Sequence, residues 1–319
     1  MEITSKQAKN WSRVGSRAAF GMAAVDLGNE IDNLMILTAD VSTSAGLVRF
    51  KQTHPDKYLD VGIAEQNMMG IAAGLASEGK KVVTTTFAPF QSMRCLEQIR
   101  VDLAYMNHDV TMVGLASGLV LGTLGYTHCC FEDLAITRAI PGLTVLSPAD
   151  CGETVKAFAA AVRNDGPVYI RLTGGSGNPI VYADDYDFTI GKAVELRQGK
   201  DVALLATGTM VHKALEAAEL LAEQLIDAAV INMHTIKPID KAAIAAACKA
   251  KLVVTLEEHN LVGGLGSAVA EYKSTLAGTP PQLMIGLEDA FKKSGAYSDM
   301  LEDHDLTAEK IAARISSAL

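Results

Sequence analysis

The chain has 319 residues, of which 49% are hydrophobic and 20% are charged, a composition typical of a globular protein with a substantial core. This length suits two domains of about 150 residues each. The formal net charge is −9 and no cluster of lysine or arginine stands out, so a nucleic-acid partner is not expected. No stretch approaches the roughly 18 apolar residues of a membrane helix. Because the N-terminal segment has no apolar signal core, we expect a cytoplasmic protein that does not bind membranes.

The five cysteines form neither a disulfide pattern nor a metal-binding pattern. None lies in a C-x-x-C pair, and so few cysteines in a long chain are no disulfide framework. Cys129 and Cys130 follow His128 directly, but adjacent side chains rarely converge on one ion. We therefore expect buried thiols in a reducing compartment and no metal bound by this chain.

Strand and helix patterns alternate along the first half of the chain. Short β-branched runs predict strands at Leu34–Ala39, Lys81–Phe87, Asp109–Leu115, Thr144–Ser147 and Pro167–Leu172. Longer helical patterns predict helices at Arg17–Leu27, Ala64–Ala76, Met93–Tyr105, Phe131–Ala139 and Cys151–Arg163. This alternation indicates a parallel sheet with helices on both faces. Such sheets bind ligands beyond the carboxyl ends of their strands.

A segment rich in glycine and aspartate, Gly174–Gly191, predicts a linker that crosses the surface. After it the alternation restarts. The predicted strands are Val202–Ala206, Ala228–Asn232, Leu252–Leu256 and Gln282–Ile285, and the predicted helices are Val211–Gln224, Lys241–Ala250, Gly266–Leu276 and Ala308–Ser317. We therefore expect a first domain at residues 1–175, a linker at 176–195 and a second, smaller α/β domain at 196–319.

Three common motifs are absent from the sequence: G-x-G-x-x-G, G-x-x-x-x-G-K-[ST] and G-x-S-x-G. Ordinary dinucleotide, nucleotide and nucleophile-elbow sites are therefore not expected. The run Gly263–Gly266 (GGLG) follows a predicted strand and opens a predicted helix. It suits either an anion at the helix N-terminus or a tight turn that packs the helix on the sheet, and we favour the turn.

Five segments occur in a fixed order along the chain. DVGIAEQNM (Asp60–Met68) places a glutamate at a predicted helix start, and TTTFAPFQSMRCLEQIR (Thr84–Arg100) carries paired phenylalanines after a strand. The other segments are GTLGYTHCCFEDLAITRAIPGLTVLSPAD (Gly122–Asp150), GPVYIRL (Gly166–Leu172) and LEEHNLVGGLGSAVAE (Leu256–Glu271). In this order the chain resembles the pyrimidine-binding half and the C-terminal domain of transketolases. The resemblance implies an α/β fold of two open, mostly parallel-sheet domains, a thiamine-diphosphate pyrimidine-binding fold followed by a transketolase C-terminal-like domain.

One motif of that family is missing. Thiamine-diphosphate enzymes hold the diphosphate and Mg²⁺ through G-D-G and a later asparagine, and no G-D-G occurs in the 319 residues. The resemblance therefore implies the C-terminal subunit of a split transketolase, whose diphosphate domain is a separate polypeptide. Thiamine diphosphate would be shared between the two chains and Mg²⁺ would be held by the partner. We expect two copies of each chain.

The resemblance also implies a cofactor site on this chain. In the family, a glutamate hydrogen-bonds the pyrimidine nitrogen and promotes loss of the thiazolium C2 proton, and Glu65 matches it, although a carboxylate at a helix start is otherwise a cap. Phe90 matches the ring that stacks on the pyrimidine and Phe87 lines the same pocket, although paired phenylalanines otherwise belong to a core. Asp40 and Val41 match residues near the thiazolium, and core packing is the alternative for Val41.

Three further residues match substrate-binding positions of the family. His128 matches a histidine that faces the substrate and moves protons as the carbon–carbon bond breaks. Arg17 and Ser44 match positions that hold the terminal phosphate of the sugar. The arginines that we leave outside the site are Arg94, Arg100 and Arg171, the last of which should pair with an internal carboxylate.

The resemblance implies transfer of a two-carbon ketol unit from a ketose to an aldose. The first alternative is the β chain of a 2-oxo-acid dehydrogenase, which shares the two-domain layout and also lacks the diphosphate motif. The GYTH sequence that ends at His128 favours the transketolase. The second alternative is a non-catalytic regulatory partner, and the joint presence of Glu65, Phe90 and His128 argues against it.

At several positions that bind the sugar in the family, this sequence has a different residue. Leu124 stands where an aspartate meets the ketose hydroxyls, Ala116 where many members have a phosphate-contacting histidine, and Gly174 and Gly175 where some place a phosphate-binding arginine. Each lost charged or polar contact costs about 1.5–3 kcal/mol. We therefore expect a ketose with a modified tail, such as a branched sugar phosphate or a sulfonated sugar. The alternative is that the partner chain, or an arginine such as Arg94, replaces the missing contacts.

Overall fold

The computed structural model describes residues 3–319, and two β-sheets organise this part of the chain. The strands are β1 (Leu34–Thr38), β2 (Tyr58–Asp60), β3 (Lys81–Phe87), β4 (Val110–Leu115), β5 (Thr144–Leu146), β6 (Val168–Arg171), β7 (Val194–Arg197), β8 (Val202–Ala206), β9 (Ala228–Asn232), β10 (Thr235–Lys237), β11 (Leu252–Asn260) and β12 (Gln282–Leu287). The α-helices are α1 (Ser5–Val14), α2 (Ser16–Glu30), α3 (Val48–Thr53), α4 (Glu65–Ser77), α5 (Ala88–Gln91), α6 (Leu96–Gln98), α7 (Asp133–Arg138), α8 (Cys151–Arg163), α9 (Met210–Glu223), α10 (Lys241–Ala247), α11 (Leu265–Lys273), α12 (Tyr297–Asp303) and α13 (Ala308–Ala318). A π-helix spans Ile99–Tyr105, and short 3-10 turns lie at Pro55–Lys57 and Gly122–Leu124.

The first sheet has the strand order β10-β5-β6-β4-β3-β1-β2 within the described residues. Its strands are parallel except β10, which runs antiparallel to β5. Strands β4 and β6 are buried along their whole length, as expected of parallel strands covered on both faces. Helices α2 and α8 cover one face, where Phe20 meets Phe158 edge to face at 4.8 Å. Helix α4 and the π-helix cover the opposite face.

The second sheet has the order β12-β11-β8-β9-β7, and β7 is its antiparallel member. Helices α9 and α13 pack on one face, and α10 and α11 pack on the other. The predicted fold class, two open and mostly parallel sheets with helices, is confirmed. Strand β7 begins at Val194, inside the predicted linker of residues 176–195. Among residues 3–319, no helix combines the length and the apolar character that crossing a membrane requires.

One predicted helix is wrong. Residues 93–105 form α6 and the π-helix after a turn at residues 92–95, rather than one continuous α-helix. A preceding short helix, α5, begins with Pro89 in its first turn, a position that proline favours. The backbone N–H of Arg94 bonds back to the carbonyl of Pro89. The turn therefore lets the segment after β3 pass close to the start of α4.

The linker has no regular structure between β6 and β7, but it is firmly attached to the first domain. The Oδ2 atom of Asp150 accepts hydrogen bonds from the N–H groups of Val181 (2.8 Å) and Tyr182 (2.9 Å). The other oxygen of Asp150 caps α8 by accepting from the N–H of Glu153. The Tyr186 hydroxyl donates to Glu153 at 2.6 Å. The prediction of a segment that simply crosses the surface is therefore incomplete, because the cap of α8 also holds the linker.

A buried charged cluster joins the two domains. Arg171 at the end of β6 pairs with Asp133 through Nε at 3.0 Å, as the sequence predicted, and both side chains are buried. Arg171 also donates to the carbonyl of Glu258 on β11 at 2.8 Å. The Glu258 carboxylate accepts from the N–H of Leu119 in the first domain and from Tyr297 in the second. Since buried charges need partners, this network fixes the domains against each other.

The glycine-rich run at the start of α11 is filled by the protein itself. The Glu257 carboxylate accepts hydrogen bonds from the N–H groups of Leu265 (2.7 Å) and Gly266 (2.8 Å). A Cβ atom at Gly264 would lie 2.0 Å from that carboxylate. The favoured interpretation, a tight turn that packs the helix on the sheet, agrees with this arrangement.

Candidate active site

A cavity of about 280 Å³ lies at the carboxyl ends of β1 and β3, where open parallel sheets bind ligands. Its lining residues are Ala39, Asp40, Val41, Ile63, Glu65, Thr86, Phe87, Phe90, Arg94 and His128. Six of them were predicted as cofactor or catalytic residues: Asp40, Val41, Glu65, Phe87, Phe90 and His128. The structure therefore brings together residues that are far apart in the sequence.

Glu65 is the first residue of α4 and is only 4% exposed. Its Oε1 atom accepts a hydrogen bond from Nη1 of Arg94 at 2.7 Å. A carboxylate with so little access to water needs such a partner. The arrangement supplies a buried acid–base group at the cavity wall, which a simple cap at the helix surface would not.

Three rings form the apolar wall of the cavity. Phe87 and Phe90 contact each other edge to face at 6.4 Å between centroids. His128 lies 5.5 Å from Phe90 and 6.1 Å from Phe87, again edge to face. The guanidinium of Arg94 lies over the face of Phe90, 4.1 Å from its centroid. Phe90 therefore has a ring face on which a planar group can stack, and in this structure the Arg94 guanidinium covers that face.

The orientation of His128 depends on Thr127. The Thr127 hydroxyl lies 2.9 Å from Nδ1 of His128 and 3.4 Å from the carbonyl oxygen of Leu124. A hydroxyl has one hydrogen, so the Thr127 hydroxyl either donates to Nδ1 or donates to the carbonyl and accepts from Nδ1–H. The second arrangement leaves Nε2 as a hydrogen-bond acceptor for a ligand.

Asp40 has an unusual backbone. Its φ is +57°, a conformation that aspartate tolerates better than most residues. Its N–H donates to Asp60 at 3.0 Å, and the same Asp60 oxygen accepts from the N–H of Gly62. The turn after β1 is thereby tied to the turn before α4, which places Asp40 and Val41 on the cavity opposite the start of that helix.

Arg17 and Ser44 do not line this cavity. They lie on adjacent segments: a Cβ atom at Gly46 would come within 2.9 Å of the carbonyl of Arg17, so the loop that carries Ser44 packs on the first turn of α2. The neighbouring Ser16 hydroxyl donates to the carbonyls of Thr173 and Gly174. The structure therefore groups the two predicted tail-binding residues beside the cavity rather than in it.

Arg94, which the sequence analysis leaves outside the site, lines the cavity and pairs with Glu65, whereas Arg100 pairs with the exposed Glu97 and Arg171 pairs with Asp133. The turn at residues 92–95, which replaces the start of the predicted helix, carries Arg94. The signal that was available is Pro89, which favours a new helix start and hence a turn just before Arg94.

The residues that depart from the family pattern lie outside the cavity lining. Leu124 is exposed on a short 3-10 turn, and Ala116 is buried with a φ of +50° directly after β4. Gly174 has a φ of +76° beside Asn178. Within the described chain, the cavity therefore takes its polar character from Glu65, Arg94 and other lining residues rather than from these positions.

The lining fits an aminopyrimidine ring. Glu65 would hydrogen-bond a ring nitrogen of such a group, the ring of Phe90 would stack on it, and Val41 would supply apolar support. A metal is a different matter: residues 3–319 contain no group of three or more His, Cys, Asp or Glu side chains arranged to hold one. Burial raises the pKa of Cys129 to about 11 and that of Cys130 well above its ordinary value, so both remain protonated thiols at neutral pH.

Comparison with known families gives two matches that together span most of the chain. The family model of the transketolase pyrimidine binding domain matches residues 12–178, and that of the transketolase C-terminal domain matches residues 191–311.

Curated relatives agree. The chain is 39% identical over 304 residues to a transketolase C-terminal section of Methanocaldococcus jannaschii, covering 94% of this chain and 95% of the relative. It is 43% identical over 281 residues to the 6-deoxy-6-sulfo-D-fructose transketolase subunit SqwH of a Clostridium species, covering 88% and 87%. It is 36% identical over 301 residues to one of the subunits of an apulose-4-phosphate transketolase of Phocaeicola vulgatus, covering 93% and 95%.

Solved structures complete the comparison. A split gene transketolase, described as an inactive beta4 tetramer, superposes with a TM-score of 0.88 at 39% identity, covering 96% of this chain and 98% of the other. A transketolase variant from Pichia stipitis gives 0.77 at 21% identity, covering 99% of this chain and 47% of the other, and shows the fold alone. Transketolase domains imply dependence on thiamine diphosphate. The chain belongs to the transketolase family, and it corresponds to the C-terminal subunit of transketolases that are split between two polypeptides.

Proposed function

We propose that this chain supplies the pyrimidine half of an active site that transfers a two-carbon ketol unit from a ketose to an aldose. The observation that carries the proposal is the convergence of Glu65, Phe90 and His128 on one cavity. A partner polypeptide with a G-D-G motif would hold the diphosphate and Mg²⁺, in a complex with two copies of each chain. The similarity to a split gene transketolase supports this division of the site.

Thiamine diphosphate, when bound, supplies the carbon centre that carries the ketol unit between the two sugars. Glu65, buried at the cavity wall, would hydrogen-bond the pyrimidine nitrogen, the role that the matching glutamate has in the family. Phe90 offers a ring face for stacking, an arrangement worth about 0.5–1.5 kcal/mol beyond the buried area. Phe87 and Val41 exclude water from the same space, and Asp40 lies where the family places a residue near the thiazolium.

His128 handles the protons of the sugar. With the ring proton on Nδ1, where the Thr127 hydroxyl can accept it, Nε2 accepts a hydrogen bond from a ketose hydroxyl, takes its proton as the carbon–carbon bond breaks, and returns it when the acceptor aldehyde adds. The flanking phenylalanines leave the imidazole little room to turn.

The proposed donor is a ketose with a modified tail. Arg17 and Ser44 remain beside the cavity to bind an anion, but Leu124, Ala116 and Gly174 leave out groups that an ordinary sugar phosphate meets in the family. The names of two relatives, a sulfofructose transketolase and an apulose-phosphate transketolase, support a tail that is sulfonated or branched.

The test is a donor panel on the complex reconstituted with a G-D-G partner chain. The panel contains xylulose 5-phosphate, a sulfonated ketose, a branched ketose phosphate and a 2-oxo acid with an artificial electron acceptor. We expect kcat/KM on one modified ketose to exceed that on xylulose 5-phosphate by about tenfold or more, the size of one lost polar contact. In the same assay, Glu65→Gln should reduce kcat by about 100-fold or more.

The outcomes separate the parts of the proposal. Ordinary activity on xylulose 5-phosphate, with nothing better in the panel, would overturn the modified tail but not ketol transfer. Oxidation of the 2-oxo acid without transfer from any ketose would replace ketol transfer by dehydrogenase chemistry. Activity of Glu65→Gln within tenfold of the native complex would remove Glu65 from its role.

A further inference from the structure

One side chain occupies both surfaces that the proposed function reserves for the pyrimidine. Nη1 of Arg94 donates to Oε1 of Glu65 at 2.7 Å, and the guanidinium carbon lies 4.1 Å from the centroid of Phe90. The guanidinium is planar and carries several N–H donors, so it resembles an aminopyrimidine in both shape and hydrogen bonding. Arg94 therefore makes the two contacts, one polar and one stacked, that a bound pyrimidine would make.

These contacts exclude the pyrimidine. A ring stacked on Phe90 needs the space directly above it, and a guanidinium at 4.1 Å fills that space. Glu65 and Arg94 both line the same cavity of about 280 Å³. Arg94 must move before a pyrimidine can enter.

Charge leads to the same conclusion. Glu65 accepts a hydrogen bond from the positively charged Arg94, whereas a hydrogen bond from Glu65 to a pyrimidine nitrogen requires the carboxyl to be the donor. Conversely, without Arg94 and without a cofactor, a carboxylate that is 4% exposed would have lost its partner. The ion pair thus suits the chain before the cofactor binds and opposes the bound state.

The location of Arg94 allows it to leave. Its backbone lies in the turn at residues 92–95 rather than in a helix, and its side chain is 42% exposed, so a rotamer change takes the guanidinium into solvent. We propose that Arg94 is a latch: in the free chain it holds the place of the aminopyrimidine on Glu65 and Phe90, and it swings out when the cofactor enters. The proposal rests on the function proposed above for these two residues.

The test measures thiamine diphosphate binding by titration calorimetry, in Mg²⁺, to the complex reconstituted with the G-D-G partner. A latch that is open in about 1–10% of molecules weakens the apparent affinity by about 10- to 100-fold. Arg94→Ala should therefore lower the apparent Kd at least tenfold. Arg94→Gln, which keeps a long polar side chain but removes the charge, should also lower the apparent Kd. Arg100→Ala is the matched control, because that arginine pairs with Glu97 at the surface, and its Kd should equal the native value.

Thermal unfolding supplies a second readout. Without cofactor, Arg94→Ala should unfold at a lower temperature than the native complex, because Glu65 loses its partner, and with saturating cofactor the difference should disappear. Suppose that the native complex binds thiamine diphosphate and that both Arg94 variants bind it with unchanged or weaker affinity. That result overturns the latch and leaves the proposed function standing. Failure of the native complex and both variants to bind thiamine diphosphate overturns the proposed function, and the latch with it.

Discussion

The Thr127 hydroxyl shares a hydrogen bond with the His128 ring. The 2.9 Å contact to Nδ1 is the polar contact of the ring that the structure gives, and the contacts with Phe87 and Phe90 are edge to face. The ring position therefore depends on packing against the phenylalanines, whereas the Thr127 hydroxyl acts on the ring nitrogen that it contacts. A change at Thr127 should therefore alter kcat/KM without altering the affinity for thiamine diphosphate.

Replacing Thr127 by valine removes the hydroxyl and keeps the shape. We expect kcat/KM for ketol transfer by the reconstituted complex to fall about five- to tenfold, since one neutral hydrogen bond contributes about 1 kcal/mol. Thiamine diphosphate affinity should not change, because Thr127 does not line the cavity. Steady-state kinetics and calorimetry on the same samples make the measurement. Thr123→Val, on the exposed turn just before, is the control, and an undiminished kcat/KM in Thr127→Val would show that the tautomer is set elsewhere.

Strand β11 is the element that couples the domains. Its last residues, Glu257, Glu258 and His259, are all buried, and each faces a different partner. Glu258 binds the first domain, Glu257 holds α11, and Nε2 of His259 accepts from the N–H of Ala135 in α7 at 3.3 Å. His259 therefore lies at the interface of the two domains, near the end of a strand.

The buried histidine predicts a pH dependence of stability. Burial lowers the pKa of His259 to about 4 from an ordinary value of 6.5. Between about pH 6.5 and 4 the unfolded chain therefore binds a proton that the folded chain does not, and stability is lost as the pH falls through this window. The slope from this residue is about 1.4 kcal/mol per pH unit.

Urea unfolding of the native chain and His259→Gln between pH 7.5 and 4.5 makes the measurement. The native free energy of unfolding should fall more steeply with falling pH than that of the variant. The comparison of slopes is needed because burial raises the pKa of Glu257 to about 7, so that carboxyl stabilises the fold as the pH falls. Parallel slopes would mean that His259 is protonated in the folded chain.

Among the helices and strands, local sequence patterns predict the limits well where the structure of a segment depends on neighbouring residues. Strand Lys81–Phe87 and helix Cys151–Arg163 are found with the predicted limits, because a β-branched run and an Asp150 cap act over neighbouring residues. Strand β10 was not predictable in this way, since its partner β5 lies far back in the chain. Helix α1 could have been found from its Thr4–Gln7 capping box.

The same distinction holds for the site. Glu65, Phe90 and His128 were predictable because family motifs place them in sequence, and the structure brings them to one cavity. The contact of Arg94 with Glu65 was not, because it depends on the direction of a turn that interrupts the expected helix. Whether Arg17 and Ser44 bind the substrate tail stays a prediction, since they lie beside the cavity and not in its lining.

At the scale of the molecule, the two domains form one scaffold. The second half of the chain adds β10 to the first sheet, and the network of Arg171, Asp133 and Glu258 closes the interface. This unit presents the cavity at the carboxyl end of its first sheet. On our account, catalysis begins only when a second polypeptide brings the diphosphate and Mg²⁺ to that end.

Titration of the G-D-G partner into this chain, with ketol transfer measured at saturating thiamine diphosphate and Mg²⁺, tests whether two polypeptides share the active site. Each chain alone should show no transfer, and the rate should rise to a plateau at an equimolar ratio of the two chains. Transfer by this chain without the partner, or no transfer from any ketose at equimolar partner, would contradict the account.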